Sequence, residues 1–257
     1  MDESYQEYIN RVARLTLPSA CALQLQGIQQ SPKFVDGKPV SFPGYSVITP
    51  PAGEDTVNQQ FYQQLETLQR QLFDNLGQDF FIPLPTASFH FALGDLIWDE
   101  SYRQVVKENP NFDRELQQQV AASIDEYQGN SDHQPISWQL WGVIARPRAI
   151  MACLVPKDQT SYQSVIKLRR ALYQNAGIVG LGVEQQYDLT AHITLGYFDS
   201  IPDGLNRDRL CIVMSQINDR LVESELPEFT LKQAELRKFE DMIHYKREAD
   251  WAVVNFD

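Results

Sequence analysis

An α+β fold of two similar halves is what this sequence predicts, and three observations carry it. Strand-like and helical segments alternate along the chain, one order of elements occurs twice, and a short histidine-centred pattern recurs at the same place in both copies. The pattern reads Phe-His-Phe-Ala-Leu-Gly at 89–94 and Ala-His-Ile-Thr-Leu-Gly at 191–196, which sets His90 and His192 102 residues apart. Two copies that each mix helix and strand point to duplication of one unit, not to a solenoid. The expected architecture is bilobal: duplicated strand-helix-strand units forming two facing antiparallel sheets around a central cleft, with helices outside. The chain 1–257 is expected to be one bilobal domain, with a helix and connection over 1–37, a first repeat over 38–146 and a second over 147–257.

Taken in order, residues 3–17 have amphipathic helical spacing that Pro18 ends, and the polar, Pro- and Gly-punctuated stretch 29–44 reads as irregular. Residues 45–49 form a short strand-like run. Val57, Phe61, Leu65, Leu68 and Leu72 then recur with helical spacing over 55–75, up to a stop at Gly77. The strand carrying His90 follows, then a helical region over 99–127 broken near Pro110, then a strand over 136–145 rich in aromatic and branched residues. Arg146, Pro147 and Arg148 make a turn. The order then repeats: strand 149–155, helix 161–175 with a stop at Gly177, the strand 189–198 with His192, helix 206–223, strand 229–239 and a last strand over 251–256.

Composition narrows the function. Hydrophobic residues make up 43% of the chain, enough for a sizeable core. The net charge of −12 argues against a broad grip on duplex DNA or on an anionic membrane, both of which need a cationic face. No cationic segment followed by an apolar one opens the chain, and no apolar run approaches a membrane span of about 20 residues. A cytoplasmic, soluble protein is expected, with no duplex DNA or membrane as partner, and a monomer. Cys21, Cys153 and Cys211 stand apart without CxxC spacing, so neither a zinc site nor a disulfide framework is expected. No metal and no cofactor is called for.

The histidine strands carry the chemistry. Residues two apart on a strand share a face, so His192 is expected beside Thr190 and Thr194, and His90 beside Ser88 and Ala92, with the large apolar neighbours turned to the core. An imidazole titrates near neutral pH, and a pair on opposite walls of a cleft suits in-line displacement at phosphorus. One ring takes a proton from the attacking hydroxyl or water and the other gives one to the leaving oxygen, each transfer contributing about 10² to 10⁴ in rate. A neighbouring hydroxyl can hold a non-bridging oxygen.

The duplicated His-x-[Thr/Ser]-apolar pattern resembles the two-histidine (2H) phosphoesterase superfamily, which includes the bacterial RNA ligase-like cyclic phosphodiesterases. The likeness in element order spans most of residues 38–257, and Phe42-Pro43-Gly44 with Ser88-Phe89-His90 is similar to an uncharacterised bacterial branch. The resemblance implies a bilobal fold and metal-independent action on a small nucleotide or RNA-end substrate carrying a 2′,3′-cyclic phosphate, with His90 and His192 as acid and base. His192 and Thr194 match the second motif, and His90 the first. Ala92 departs from it, standing where the family has Thr or Ser. Loss of one hydrogen bond to a charged group costs about 1.5–3 kcal/mol, so slower catalysis, or a catalytically weak nucleotide-binding module, is the alternative that Ala92 favours. Ser88 is the candidate substitute.

Other features have plainer readings. Tyr197 and Trp98 are candidates to stack a base, though either ring also suits core packing. The Arg146–Arg148 turn and the Arg169-Arg170 pair could steer an anion, exposed charge being the default. Gly177, Gly180 and Gly182 follow a helix and precede a strand, the reverse of a phosphate-binding loop, and read as a helix stop and flexible loop. His133 and His244 are expected to face solvent, and Gln117 to Gln119 a solvated helix face.

Overall fold

The computed structural model describes residues 3–76, 80–130, 134–223, 225 and 227–256. Helix α1 (Tyr5–Leu15) is started by a capping box, with Ser4 Oγ accepting from Glu7 N and the Glu7 carboxylate accepting from Ser4 N. Pro18 ends that run as expected, but it also opens a helix the sequence reading lacked, α2 (Pro18–Gln26). At the first helical position its missing N–H leaves nothing unsatisfied and its fixed φ is already helical. The stretch expected to be irregular contains a small hairpin, β1 (Phe34–Val35) with β2 (Lys38–Pro39), turned by Asp36 and Gly37 at φ 50 and 71°.

Strand β3 (Gly44–Ile48) is followed by α3 (Gln59–Leu76), which starts late because the Asp55 carboxylate first accepts from Val57 N and Asn58 N in an Asx turn. The expected stop at Gly77 lies outside the described residues. Next come β4 (Phe81–Pro83), a 3-10 turn at Thr86–Ser88, β5 (Ala92–Trp98), α4 (Asp99–Glu108) and α5 (Phe112–Gly129), the two helices separated around Pro110. Strands β6 (Ile136–Arg146) and β7 (Ala149–Pro156) form a hairpin, followed by α6 (Gln159–Tyr173). Where a flexible loop was expected stands a one-turn helix, α7 (Ala176–Gly180), because the side-chain Oδ1 of Asn175 accepts from Gly177 N and Ile178 N. The chain continues through β8 (His192–Phe198) and α8 (Arg207–Glu223). The single strand expected over 229–239 is two, β9 (Glu228–Leu231) and β10 (Gln233–Phe239), and the end adds β11 (Tyr245–Lys246) and β12 (Val253–Asn255).

All pairing is antiparallel. The first sheet has the order β11-β10-β3-β5, with β12 also on β10, and the second has the order β4-β8-β7-β6-β9. The break at Lys232 is where the chain passes from one sheet to the other. Each sheet therefore draws strands from both sequence repeats: β10 supplies the first sheet with the counterpart of β6, and β4 borders the second. This exchange locks the halves together, since neither sheet completes without the other repeat.

Helices α4 and α5 back the first sheet, α2, α3 and α8 pack around the second, and α6 touches β5, β6 and β7, bridging both. The apolar interior is continuous across them. Phe91 lies 5.2 Å centroid to centroid from Trp138 and 6.4 Å from Phe229, so side chains beside the first histidine pack into the second sheet. Fully burying such a side chain stabilises by about 1.5–3 kcal/mol. Cys21 and Cys153 are buried, with Cys211 half-buried. Among the described residues no helix is long and apolar enough to cross a membrane.

Candidate active site

Strict alternation does not survive in the two histidine strands, and its failure builds the site. In β8, Thr194 pairs with Met151 and Gly196 with Ile150, leaving Leu195 bulged. The extra residue flips the alternation, so Tyr197, three residues after Thr194, returns to the same face. In β5, Ser46 opposes Asp95, Val47 opposes Gly94 and Ile48 opposes Ala92, so Leu93 and Leu96 are bulged. Ala92, Asp95 and Trp98, spaced by three, all line one cleft, together with His192, Thr194 and Tyr197. That cleft, about 400 Å³, lies between the sheets.

His90 is not inside a regular strand, as the sequence reading had it, but two residues ahead of β5. Pro50 and Pro51 on the neighbouring segment have no N–H to give, so the ladder cannot continue past Ile48. Thr49 substitutes: its hydroxyl accepts from Phe91 N and its own N–H donates to Phe91 O, at 3.0 Å each, while Ala52 N donates to Phe89 O.

The two imidazoles are held alike. His90 Nδ1 lies 2.8 Å from the Ser88 carbonyl oxygen and His192 Nδ1 lies 2.6 Å from that of Thr190. A carbonyl only accepts, so each Nδ1 carries the proton and each Nε2 is left for the cleft. Both rings are half-buried. Desolvation on the cleft floor pushes His90 down to about 4, against the raising effects of the Ser88 carbonyl and the Asp95 charge, with His192 and Arg237 lowering it further. His192 is lowered for the same first reason, with Thr190 and Asp95 opposing, and Arg146 and Lys33 adding to the fall. Tyr245 braces His90 edge-on at 4.4 Å between centroids.

A frame around the second histidine comes from α1. Tyr8 Oη accepts from Ala191 N and donates to Leu154 O. Arg11 donates to Thr190 Oγ1 at 2.9 Å and to Leu189 O at 2.6 Å, and its other face is ion-paired with Glu3. Buried Arg169 ties the cleft's other segments, donating to Leu93 O at 2.7 Å and to Tyr187 O at 3.1 Å.

The residues expected at the site meet in this cleft: His90, His192, Thr194, Ser88 and Tyr197 all line it, as do Thr190 and Trp98. The Thr194 hydroxyl has no hydrogen-bond partner among the described residues, whereas the Ser88 hydroxyl is engaged, donating to Pro85 O at 2.7 Å. Ala92 faces the cleft with no hydroxyl to offer. His244 is exposed and pairs with Asp241; His133 lies outside the described residues. Gln117 to Gln119 lie on α5, but Gln117 donates to Tyr45 Oη and Gln119 O accepts from Asn175, so that face is not wholly solvated.

Asp95 and Lys33 escaped the sequence reading. Asp95 accepts from Ser46 Oγ at 2.8 Å and from Tyr187 Oη. Alternation put it on the wrong face; the signal was the glycine in each strand, Gly94 and Gly196, since an isolated strand glycine marks a bulge. Lys33 Nζ sits over the rings of Phe42 and Tyr197 at 4.7 and 5.1 Å. Among the described residues no group of three or more His, Cys, Asp or Glu converges as metal ligands would.

No family model matches this sequence, and no curated protein matches it. Solved structures do. A conserved protein of unknown function from Agrobacterium tumefaciens aligns with a TM-score of 0.61 at 17% identity, over 88% of this chain and 91% of that one. A structure described as a phosphoesterase aligns with a TM-score of 0.40 at 12% identity, over 85% and 94%. E. coli LigT complexed with 3′-AMP gives 0.39 at 12%, over 83% and 92%. The first likeness shows a shared fold along nearly the whole of both chains; the other two scores are too low to establish more.

Proposed function

We propose that the cleft hydrolyses a phosphodiester, a 2′,3′-cyclic nucleotide or the cyclic-phosphate end of an RNA, by paired-histidine acid and base catalysis, and that the chain is a relative of the 2H phosphoesterases. The observation that carries this is the matched tethering of both rings, Nδ1 to the carbonyl two residues back, in one cleft. With Nδ1 protonated, a neutral ring offers a bare Nε2 as base and a charged ring offers Nε2–H as acid. One ring takes the proton of the attacking water. The other donates its proton to the ribose oxygen as the P–O bond breaks, and the ring roles then reset through solvent.

Burial favours the neutral form of both rings, and an arriving phosphodiester anion favours protonation of one of them. Thr194, with its hydroxyl uncommitted, donates to a non-bridging oxygen. Lys33, Arg146 and Arg148 supply positive potential at the cleft despite the acidic chain. The two rings and water suffice for this reaction, so chelators leave it unaffected.

The test is turnover of 2′,3′-cyclic nucleotides, followed by chromatography. Single His90→Ala and His192→Ala substitutions each reduce the rate by about 10² to 10⁴. Activity that survives in the double variant overturns the mechanism. Ala92 supports a second reading, a nucleotide-binding module with little turnover; calorimetry showing tight binding without product would favour it.

A further inference from the structure

The proposed reaction draws on three cations of the cleft only for their long-range potential and gives none of them a direct contact. Lys33, Arg146 and Arg148 line it, and none has a carboxylate partner among the described residues of a chain whose net charge is −12. They converge at one place. Arg146 and Arg148 flank the β6–β7 turn, Ala149 at its exit pairs with Tyr197, and Lys33 lies over the Tyr197 ring. The place is stitched by backbone: Gln29 N donates to Pro147 O at 2.6 Å, Ser31 N to Phe198 O at 2.9 Å and Phe198 N to Arg148 O at 3.1 Å. Arg146 and Arg148 are exposed and Lys33 is half-buried, so the frame fixes their backbones and leaves the charged heads free to meet a ligand.

Tyr197 is five residues along β8 from His192, so the Lys33 ammonium over its ring lies to one side of the imidazole, yet Lys33 and Arg146 are near enough for their charges to lower His192, as a second phosphate on the same nucleoside would need. Apolar side chains of Phe42, Trp98, Phe239 and Met242 line the same cleft, suited to the body of a nucleoside. We propose that Lys33, Arg146 and Arg148 form a second anion subsite, selecting substrates that carry another phosphate one nucleoside away from the one that reacts. This rests on the proposed function, whose substrate class it narrows. The second phosphate is either a terminal 5′-phosphate or the next internucleotide linkage; the recognition chemistry is the same.

Calorimetry with adenosine 2′-monophosphate and adenosine 2′,5′-bisphosphate tests it without turnover. The natural chain binds the bisphosphate about ten- to a hundredfold more tightly, as one or two charged hydrogen bonds provide. In Arg148→Gln and Lys33→Gln that ratio falls toward one, and in Arg148→Lys most of it remains; circular dichroism confirms that the variants fold. A dinucleotide ending in a 2′-phosphate shows whether an internucleotide linkage serves as well as a terminal phosphate. Equal affinity for the two ligands in the natural chain, a ratio unchanged by the substitutions, or no binding of either overturns the subsite. A preference lost in the variants, in a protein that turns over no cyclic substrate, overturns the hydrolase alone and leaves the subsite standing.

Discussion

Asp95 and Tyr197 hold the same station in the two halves: each follows its motif histidine by five residues, each comes just after a strand bulge, and each turns into the cleft. Their chemistry differs. Asp95 puts a negative charge on the first-sheet wall, while Tyr197 seats the Lys33 ammonium on the second. A near-symmetric frame thus carries an asymmetric field, and both histidines feel it: Asp95 raises them, and the nearby cations lower them.

Replacing Asp95 by Asn keeps an acceptor for Ser46 and Tyr187 and removes the charge. Both imidazoles, already below their ordinary value of about 6.5, then fall further, because the negative charge that favours their protonated forms is gone. The base must be neutral and the acid protonated, so both limbs of the kcat/KM profile move to lower pH. The natural chain itself peaks on the acid side of 6.5. A profile for Asp95→Asn that moves to higher pH, or not at all, contradicts this field.

The sequence made the histidine pair and the bilobal α+β plan legible because both rest on repetition, which survives without knowing how strands pair. Asp95 was hidden because a bulge changes which residues share a face, and alternation cannot announce it. Lys33 was hidden because its partners Phe42 and Tyr197 are brought to it only by tertiary folding. The passage between sheets at Lys232 falls inside one β-rich run, where local pattern reads as a single strand. Pro18 was half legible: it stops a helix and starts another equally well.

The strand glycines give a stability contrast. A Cβ on Gly196 would drive into both the Ile82 carbonyl oxygen and the Phe81 ring, on a strand fixed by β4–β8 pairing. On Gly94 it would meet the flexible end of Leu172 at 3.3 Å. Gly196→Ala is expected to cost about 2–3 kcal/mol in urea unfolding and Gly94→Ala under about 1 kcal/mol. Equal costs would mean that the edge strand β4 yields freely.

Arg11 acts on His192 through the segment whose carbonyl holds the ring, so it is a positioning residue. Arg11→Gln frees Leu189 and Thr190, letting the imidazole drift, and small misplacements are costly because near-attack geometry is lost. The expected result is a kcat about ten- to a hundredfold lower with KM nearly unchanged, and partial recovery in Arg11→Lys. A purely structural role would show as a lower melting temperature tracking the rate, with no difference between kcat and KM.

The missing hydroxyl at Ala92 can be supplied. Ala92 is half-buried on the cleft wall, two residues from His90 as Thr194 is from His192, and a β-branched side chain suits a strand there. If Thr194 donates to the phosphate in the transition state, Thr194→Val removes that bond while keeping the shape, lowering the rate about ten- to a hundredfold. Ala92→Thr then adds its counterpart on the opposite wall and raises the rate by about tenfold. The gain is smaller than the loss because the new hydroxyl must be ordered by the site around it, and Ser88, bonded to Pro85, is not free to help. Rates of the two variants and of their combination, measured on one cyclic nucleotide, decide the matter: the combination should recover about tenfold over Thr194→Val and stay at or below the natural rate. If Thr194→Val leaves the rate intact, the phosphate does not sit where the paired histidines require it.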